Sequence, residues 1–342
     1  MAKVTLKDVA TEAGVSYQTV SKVLNGRANV SAETEERIRE AVKSLGYRTN
    51  ISARNLRKQA SQRIGYPWQR RPDDTPSPIL DRFLHNAVEV AEENGYNLLT
   101  FLMRGGADRN VDVFGDMIAQ QQVDGFILAD TEEDDPRIAY LIKHNFPFVS
   151  FGRANDTWDH CWVDDDGFKG MQRIVDHLVA QGHERIALVT WPEGSRAGTD
   201  RETGYLSGLA RAGLTPNSQL IVRGDNQGVT GARALEQLWA LPVGQRPTAF
   251  ACVSDAIAVG ILNTAISRGI TIGQDVAVTG YDDTPMAAVL HPPLTSVKQP
   301  IAEVGRRVID LLLKQINKHP IEEKGILLEP QVIVRKSSRT TG

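Results

Sequence analysis

Residues 15–26, VSYQTVSKVLNG, sit between TLKDVATEAG and ANVSAETEERIREAVKSLGY, and this run constrains the chain most. Within Leu6–Gly14, Val9, Ala10 and Ala13 recur at helical spacing. Gly14 breaks that helix where a left-handed residue is cheap. Ser16 is placed to cap a second helix through Thr19, and Val20, Val23 and Leu24 give that helix a narrow apolar stripe. Two short helices joined by a Gly-containing turn predict a helix-turn-helix. The outward face of the second helix shows Tyr17, Gln18, Ser21, Lys22 and Asn25, all hydrogen-bonding side chains at the end that would enter a major groove.

The charge distribution points the same way. Residues 1–60 carry eleven Lys/Arg and six Asp/Glu, whereas the remaining residues carry 28 basic and 36 acidic side chains. A basic head on an acidic body suits a head that meets a polyanion. At 342 residues with 41% hydrophobic and 24% charged residues, the body has the composition of a globular chain of two or three domains. Cys161 and Cys252 lie in no CxxC or Cys/His metal spacing, so buried free thiols are expected. No apolar run approaches 18 residues and no apolar segment follows Met1. The expectation is a cytoplasmic protein with no membrane span and no signal peptide.

A third helix is predicted from Ser31, with Glu33 and Glu35 near its start and Ile38, Ala41, Val42 and Leu45 along one side, ending at Gly46. Residues 48–62, RTNISARNLRKQASQ, are polar and read as a linker. From Arg63 strands alternate with helices. RIGYPW, NLLTFL, DGFILA and PFVSFG form one series of short buried strands, and RIALVT, QLIVR, TAFACVS and VAVTGY a second. Helices are expected at 80–94, 136–144, 170–181, 203–212, 232–239 and 256–267. Two successive βαβ series predict two doubly wound α/β lobes with mainly parallel sheets.

TLKDVATEAGVSYQTVSKVLNG followed by VSAETEERIREAVKSLGY closely resembles the headpiece of the lactose-repressor/galactose-repressor family, and the resemblance extends over essentially the whole chain. It implies an all-α DNA-binding headpiece at 1–47, a hinge helix at 48–62, and a periplasmic-binding-protein-like body at 63–342. Because the last segments cross back in the family, the first lobe is expected at about 63–163 plus 296–323, and the second at about 164–295 plus 324–340. The implied DNA contacts are Thr5, Ser16, Tyr17, Gln18, Thr19, Ser21, Lys22 and Asn25, with Asn50, Ala53 and Leu56 from the hinge. Leu56 matches the leucine that wedges into the minor groove, where an apolar side chain unstacks a base step and bends the duplex.

Ligands of doubly wound sheets bind beyond the carboxyl ends of the strands. The residues there include Trp68, Arg153, Trp191, Arg201, Ser254 and Asp282, which are the candidate effector contacts. Arginine and aspartate suit a polyhydroxylated ligand, because each can hold a pair of adjacent hydroxyls. Tryptophan faces can cover the apolar side of a sugar ring, although Trp68, Trp158, Trp162 and Trp191 equally suit packing. The resemblance assigns Arg201 in RETGY and Asp282 in GYDD to effector binding. It also shows two departures, Ser254 where many members have asparagine and Gly152 where members commonly have aspartate. The acidic run Asp164–Asp166 has no companion ligands in sequence and reads as a solvated turn rather than a metal site. GxxxxGK[ST], GxGxxG and GxSxG are absent, so neither catalysis nor a cofactor is expected.

The expected function is that of a sequence-specific repressor. It would bind a pseudopalindromic double-stranded DNA operator as a homodimer, under allosteric control by a small carbohydrate, a glycoside or oligosaccharide. A purine or phosphosugar corepressor is the alternative, and a solute-binding protein a more distant one. The terminal RKSSRTTG lacks a leucine heptad, which favours a dimer over a tetramer.

Overall fold

A computed structural model describes residues 4–24, 30–47, 60–69, 77–103 and 111–339. The chain divides into two compact units, 1–61 and 62–342.

In the first unit, α1 spans Leu6–Ala13, α2 Tyr17–Leu24 and α3 Ala32–Ser44. Each start is chemically marked. Thr5 and Asp8 form a capping box, with Thr5 N donating to Asp8 Oδ2 at 2.8 Å and Asp8 N donating to Thr5 Oγ1 at 3.4 Å. Ser16 Oγ accepts from Thr19 N at 3.1 Å, and Ser31 Oγ from Thr34 N at 3.3 Å. Gly14 ends α1 at φ +63°, the left-handed turn that its position predicts. Val9, Ala10, Ala13, Val20, Ile38 and Ala41 form the small core.

The second unit holds two parallel sheets flanked by helices. In the first lobe, β1 (Arg63–Gln69), β2 (Asn97–Met103), β3 (Gly125–Leu128), β4 (Phe148–Phe151), β5 (Cys161–Asp165) and β11 (Gly325–Leu328) run in the order β11-β5-β4-β3-β1-β2. Its helices are α4 (Pro78–Glu93), α5 (Asp112–Ala119), α6 (Pro136–Lys143) and α12 (Ile301–Ile316). In the second lobe, β6 (Ile186–Thr190), β7 (Ile221–Arg223), β8 (Ala249–Cys252), β9 (Ala277–Tyr281), β10 (Thr295–Lys298) and β12 (Gln331–Ile333) run in the order β12-β10-β9-β8-β6-β7. Its helices are α7 (Gly167–Ala180), α8 (Arg196–Arg211), α9 (Gly228–Trp239), α10 (Asp255–Ser267) and α11 (Pro285–Val289). Among the described residues the one antiparallel strand pairing is β12 against β10. Strands buried on both faces explain the continuous apolar runs FIL, FVSF, IALV and AFAC.

The crossings between lobes differ from the expected ones. β10 pairs with β9, so the second lobe continues through Lys298 and the chain crosses at 299–300 rather than at 295–296. β11 pairs with β5, so the first lobe keeps residues 325–328 and the last crossing falls at 329–330 rather than at 323–324. In both cases pairing across the sheet, which no local pattern reports, sets the boundary. Other elements also depart from the sequence reading. β5, α5 and α11 are among those with no counterpart in it, and α8 starts at Arg196 rather than at 203. The opening turns of α8 contain Gly198 and Thr199, poor helix formers, and start from the cap Ser195, whose Oγ accepts from Gly198 N at 3.2 Å.

Candidate functional site

On the headpiece, α2 leaves Gln18 and Lys22 exposed. Tyr17, Thr19 and Ser21 are half-buried, and the Tyr17 ring packs against the small core. Thr5 and Ser16 act as helix caps, and Thr19 shares a hydrogen bond of 2.8 Å with Ser16. Asn25, Asn50, Ala53 and Leu56 lie outside the described residues.

In the body, the carboxyl ends of the two sheets face each other. Tyr281, the last residue of β9, donates its hydroxyl to Asp165 Oδ2 at the end of β5, 2.7 Å away. Two ion pairs cross between the lobes: Arg153 of the first with Asp200 of the second, and Arg196 of the second with Asp156 of the first at 3.0 Å. Arg153 also reaches Asp164 Oδ2 through Nε at 3.2 Å.

Arg201 is buried on α8 rather than lying in a loop after a strand, as its position after Trp191 suggested. Its guanidinium lies over the Tyr281 ring, 3.7 Å from the centroid, and 4.9 Å from that of Trp191. Nη1 donates to the Val253 carbonyl at 2.6 Å. Stacking on two aromatic faces holds the cation in a place where water cannot solvate it. Arg201 Nε, Trp191 Nε1 and Thr190 Oγ1 are buried without a hydrogen-bond partner among the described residues. Orphaned polar atoms of this kind are rare in proteins and need an explanation.

Asp282 follows β9 with φ +118°, and Asp283 continues at φ +46°, so two consecutive non-glycine residues occupy left-handed backbone. The Asp282 carboxylate accepts from Gln299 Nε2 at 2.7 Å, and its carbonyl accepts from Arg82 Nη2 at 2.8 Å. Enclosure by protein pushes the Asp282 carboxyl up to about 8, against the pull of nearby Arg201.

The acidic run is not a solvated turn. Asp164, Asp165 and Asp166 are all buried where β5 meets α7. Asp166 caps α7, accepting from Lys169 N at 2.9 Å, and Asp165 bonds Tyr281. Burial, then the neighbouring Asp165, push the Asp164 carboxyl up to about 7. No cluster of candidate metal ligands occurs among the described residues.

The remaining candidates divide. Trp191 joins Arg201, whereas Trp68 is 41% exposed at the end of β1, edge-on to Tyr66 with centroids 6.1 Å apart. Ser254 is fully buried; it caps α10, accepting from Ile257 N at 3.2 Å, and donates to Asn226 Oδ1. Gly152 has φ +102°, and a Cβ there would collide with Thr131 Oγ1, so any side chain at this position would have to displace Thr131. The residues that sequence reasoning passed over are Arg82, Asp164, Asp165, Asp200 and Gln299. Only the acidic run was visible as a motif, and its partners lie far away in sequence.

Comparison with known proteins agrees with this architecture. Residues 5–50 match the family described as bacterial regulatory proteins, lacI family, and residues 175–338 match the periplasmic binding protein-like domain. The HTH-type transcriptional repressor PurR of Erwinia tasmaniensis is 32% identical over 97% of this chain and 96% of its own length. The lac repressor dimer bound to operator and the anti-inducer ONPF is 29% identical, with a TM-score of 0.84 over 99% of this chain and 100% of that one. A complex of the transcriptional regulator CelR with cellobiose is also 29% identical, with a TM-score of 0.73 over 98% of this chain and 100% of that one. With a helix-turn-helix head, two doubly wound lobes and full-length similarity to such repressors, the chain belongs to the lacI family of bacterial regulatory proteins.

Proposed function

We propose that this chain is a cytoplasmic repressor that binds a pseudopalindromic operator as a homodimer and takes a neutral carbohydrate, a glycoside or oligosaccharide, between its lobes. The headpiece, residues 1–47, reads bases through α2, and the hinge at 48–62 carries the Leu56 wedge. The observation that carries the ligand class is the group around Arg201. Arg201, with its Nε unpartnered among the described residues, stacks on the indole of Trp191, whose Nε1 is also unpartnered, and lies close enough to feel the Asp282 charge; Thr190, the residue before Trp191, adds a third orphaned atom, Oγ1. Hydroxyl groups satisfy such donors and acceptors in a partly dry cleft, and the indole covers the apolar face of a sugar ring. Arg153 and Arg196 already have carboxyl partners in Asp164, Asp200 and Asp156, which favours an uncharged ligand over a phosphosugar. The cellobiose complex of CelR supports the same class by similarity.

Calorimetry with neutral mono- and disaccharides, sugar phosphates and purines tests the class, and operator titration with and without the binder tests the regulation. Binding by a disaccharide or glycoside that shifts operator affinity is the expected result. Binding by hypoxanthine or a sugar phosphate alone rejects the carbohydrate reading. Sedimentation at micromolar concentration should show a dimer; a tetramer or monomer rejects that part.

A further inference from the structure

Arg82 lies on α4 in the first lobe, and 200 residues later in the chain the Asp282 carbonyl of the second lobe accepts its Nη2 hydrogen at 2.8 Å. The acceptor is the carbonyl of a residue at φ +118°, followed by another at φ +46°. Backbone of this kind is strained and persists only where its surroundings over-determine it. The surroundings do so on every side. Asp282 N donates to Val297 O at 2.8 Å, Asp283 N to Ser296 Oγ at 3.0 Å, and Thr284 N to Asp255 Oδ2 at 2.7 Å. Gln299 holds the Asp282 carboxylate and Arg335 the Asp283 carboxylate, the latter at 2.6 Å. All of these holders belong to the second lobe or to the crossing at 299. Arg82 is the hold from the other lobe. Its Nε is buried without a partner among the described residues, so the guanidinium keeps donor capacity at that place.

We propose that Arg82 is a positioning residue: it fixes the strained Asp282 turn from across the cleft and transmits ligand occupancy of that turn to α4 of the first lobe. The proposal rests on the reading of Asp282 as an effector contact. A ligand that engages the Asp282 carboxylate pulls on a peptide group whose carbonyl is tied to α4. Any displacement of the turn then changes the Arg82 bond, and with it the relation of the two lobes.

The test is hydrogen exchange on the full-length chain, comparing the parent with Arg82→Met and Arg82→Lys, with and without a sugar that binds from the panel glucose, ribose, galactose, lactose and cellobiose. Arg82→Met is expected to speed exchange of amides 282–284 at least tenfold, and Arg82→Lys to restore part of the protection. With sugar, protection should spread from the turn to residues 78–86 in the parent and stay confined to the turn in Arg82→Met. A general loss of helix stability cannot produce that pattern. Parental exchange at 282–284 in Arg82→Met overturns the proposal, as does sugar protection that still reaches 78–86. If Asp282→Asn keeps parental sugar affinity while Arg82→Met loosens the turn, the ligand reading of Asp282 fails and the positioning role of Arg82 stands.

Discussion

The headpiece presents its polar side chains from one eight-residue helix, α2, whereas the cleft assembles its polar side chains from both lobes and from residues as far apart as 82 and 299. Gln18 and Lys22 stand in solvent and hold up nothing, while Arg201, Asp164 and Asp165 are buried and bonded into the fold. Recognition and stability are therefore separable in one region and entangled in the other. A side chain that waits in water for its partner costs little to change. A buried charge that is stacked and hydrogen-bonded also supports its neighbours, and removing it leaves them unsatisfied.

Arg201→Ala should show the largest effect. Sugar affinity is expected to fall roughly 5- to 150-fold, the factor that corresponds to about 1–3 kcal/mol of lost hydrogen bonding. The body should also lose about 1–3 kcal/mol, because the Val253 carbonyl loses its donor and two aromatic faces lose their cation. Thermal melting beside calorimetry checks both. A parental melting temperature together with lost sugar binding would show that the cleft is as separable as the headpiece. The sequence reading of Arg201 as a loop residue leads to that outcome; its burial on α8 leads to the other.

Gln18→Ala is the matching change in the headpiece. It should cost about 1–3 kcal/mol at one base pair and leave stability within about 0.5 kcal/mol of the parent. Titration over operator variants reads the first and thermal melting the second. An equal loss on every sequence, random DNA included, would make Gln18 a phosphate contact and not a base contact.

Thr5→Ala should cost the headpiece about 1 kcal/mol by removing one side of its capping box, as measured by denaturant titration. No change would mean that Asp8 alone suffices to hold the first turn.

The last expected effect is one of pH. Asp164 and Asp282 hold their protons up to about 7 and about 8 in the fold, well above ordinary carboxylates. Between the unfolded value and these folded values, the native state binds more protons than the unfolded state. Stability of the body should thus fall as pH rises through that window and level off above it. Asp164→Asn, which has no proton to lose, should flatten the slope in urea titrations from pH 5 to pH 9. An unchanged slope would place the linkage elsewhere.

How much of this was legible follows from the range of the forces. Gly14, Ser16 and Ser31 act on residues three or four positions away, so the headpiece helices and their caps could be read directly. The apolar runs of the body strands reveal burial on both faces, and eight strands were visible that way. β5 was not, because Asp164 and Asp165 look like loop residues until Tyr281 and Arg153 are seen to pair with them. α8 was recognised only in its second half because Gly198 and Thr199 weaken the pattern of its first turns. Arg201 and Asp282 stood out as types suited to polyol binding. That they share one neighbourhood with Tyr281 and Trp191 could not be inferred from spacing.

The amino-acid sequence by itself determined the helix-turn-helix, the exposed Gln18 and Lys22 on its second helix, the basic head on an acidic body and the doubly wound class of both lobes. These depend on local capping, on apolar periodicity and on charge counts, all of which are contained in a window of a few turns. Only the tertiary structure decided where the lobes exchange strands, that the acidic run is buried, and which carboxylate meets which arginine across the cleft. Those outcomes turn on pairings between residues tens to hundreds of positions apart, whose energies exist only once both sheets have closed on each other.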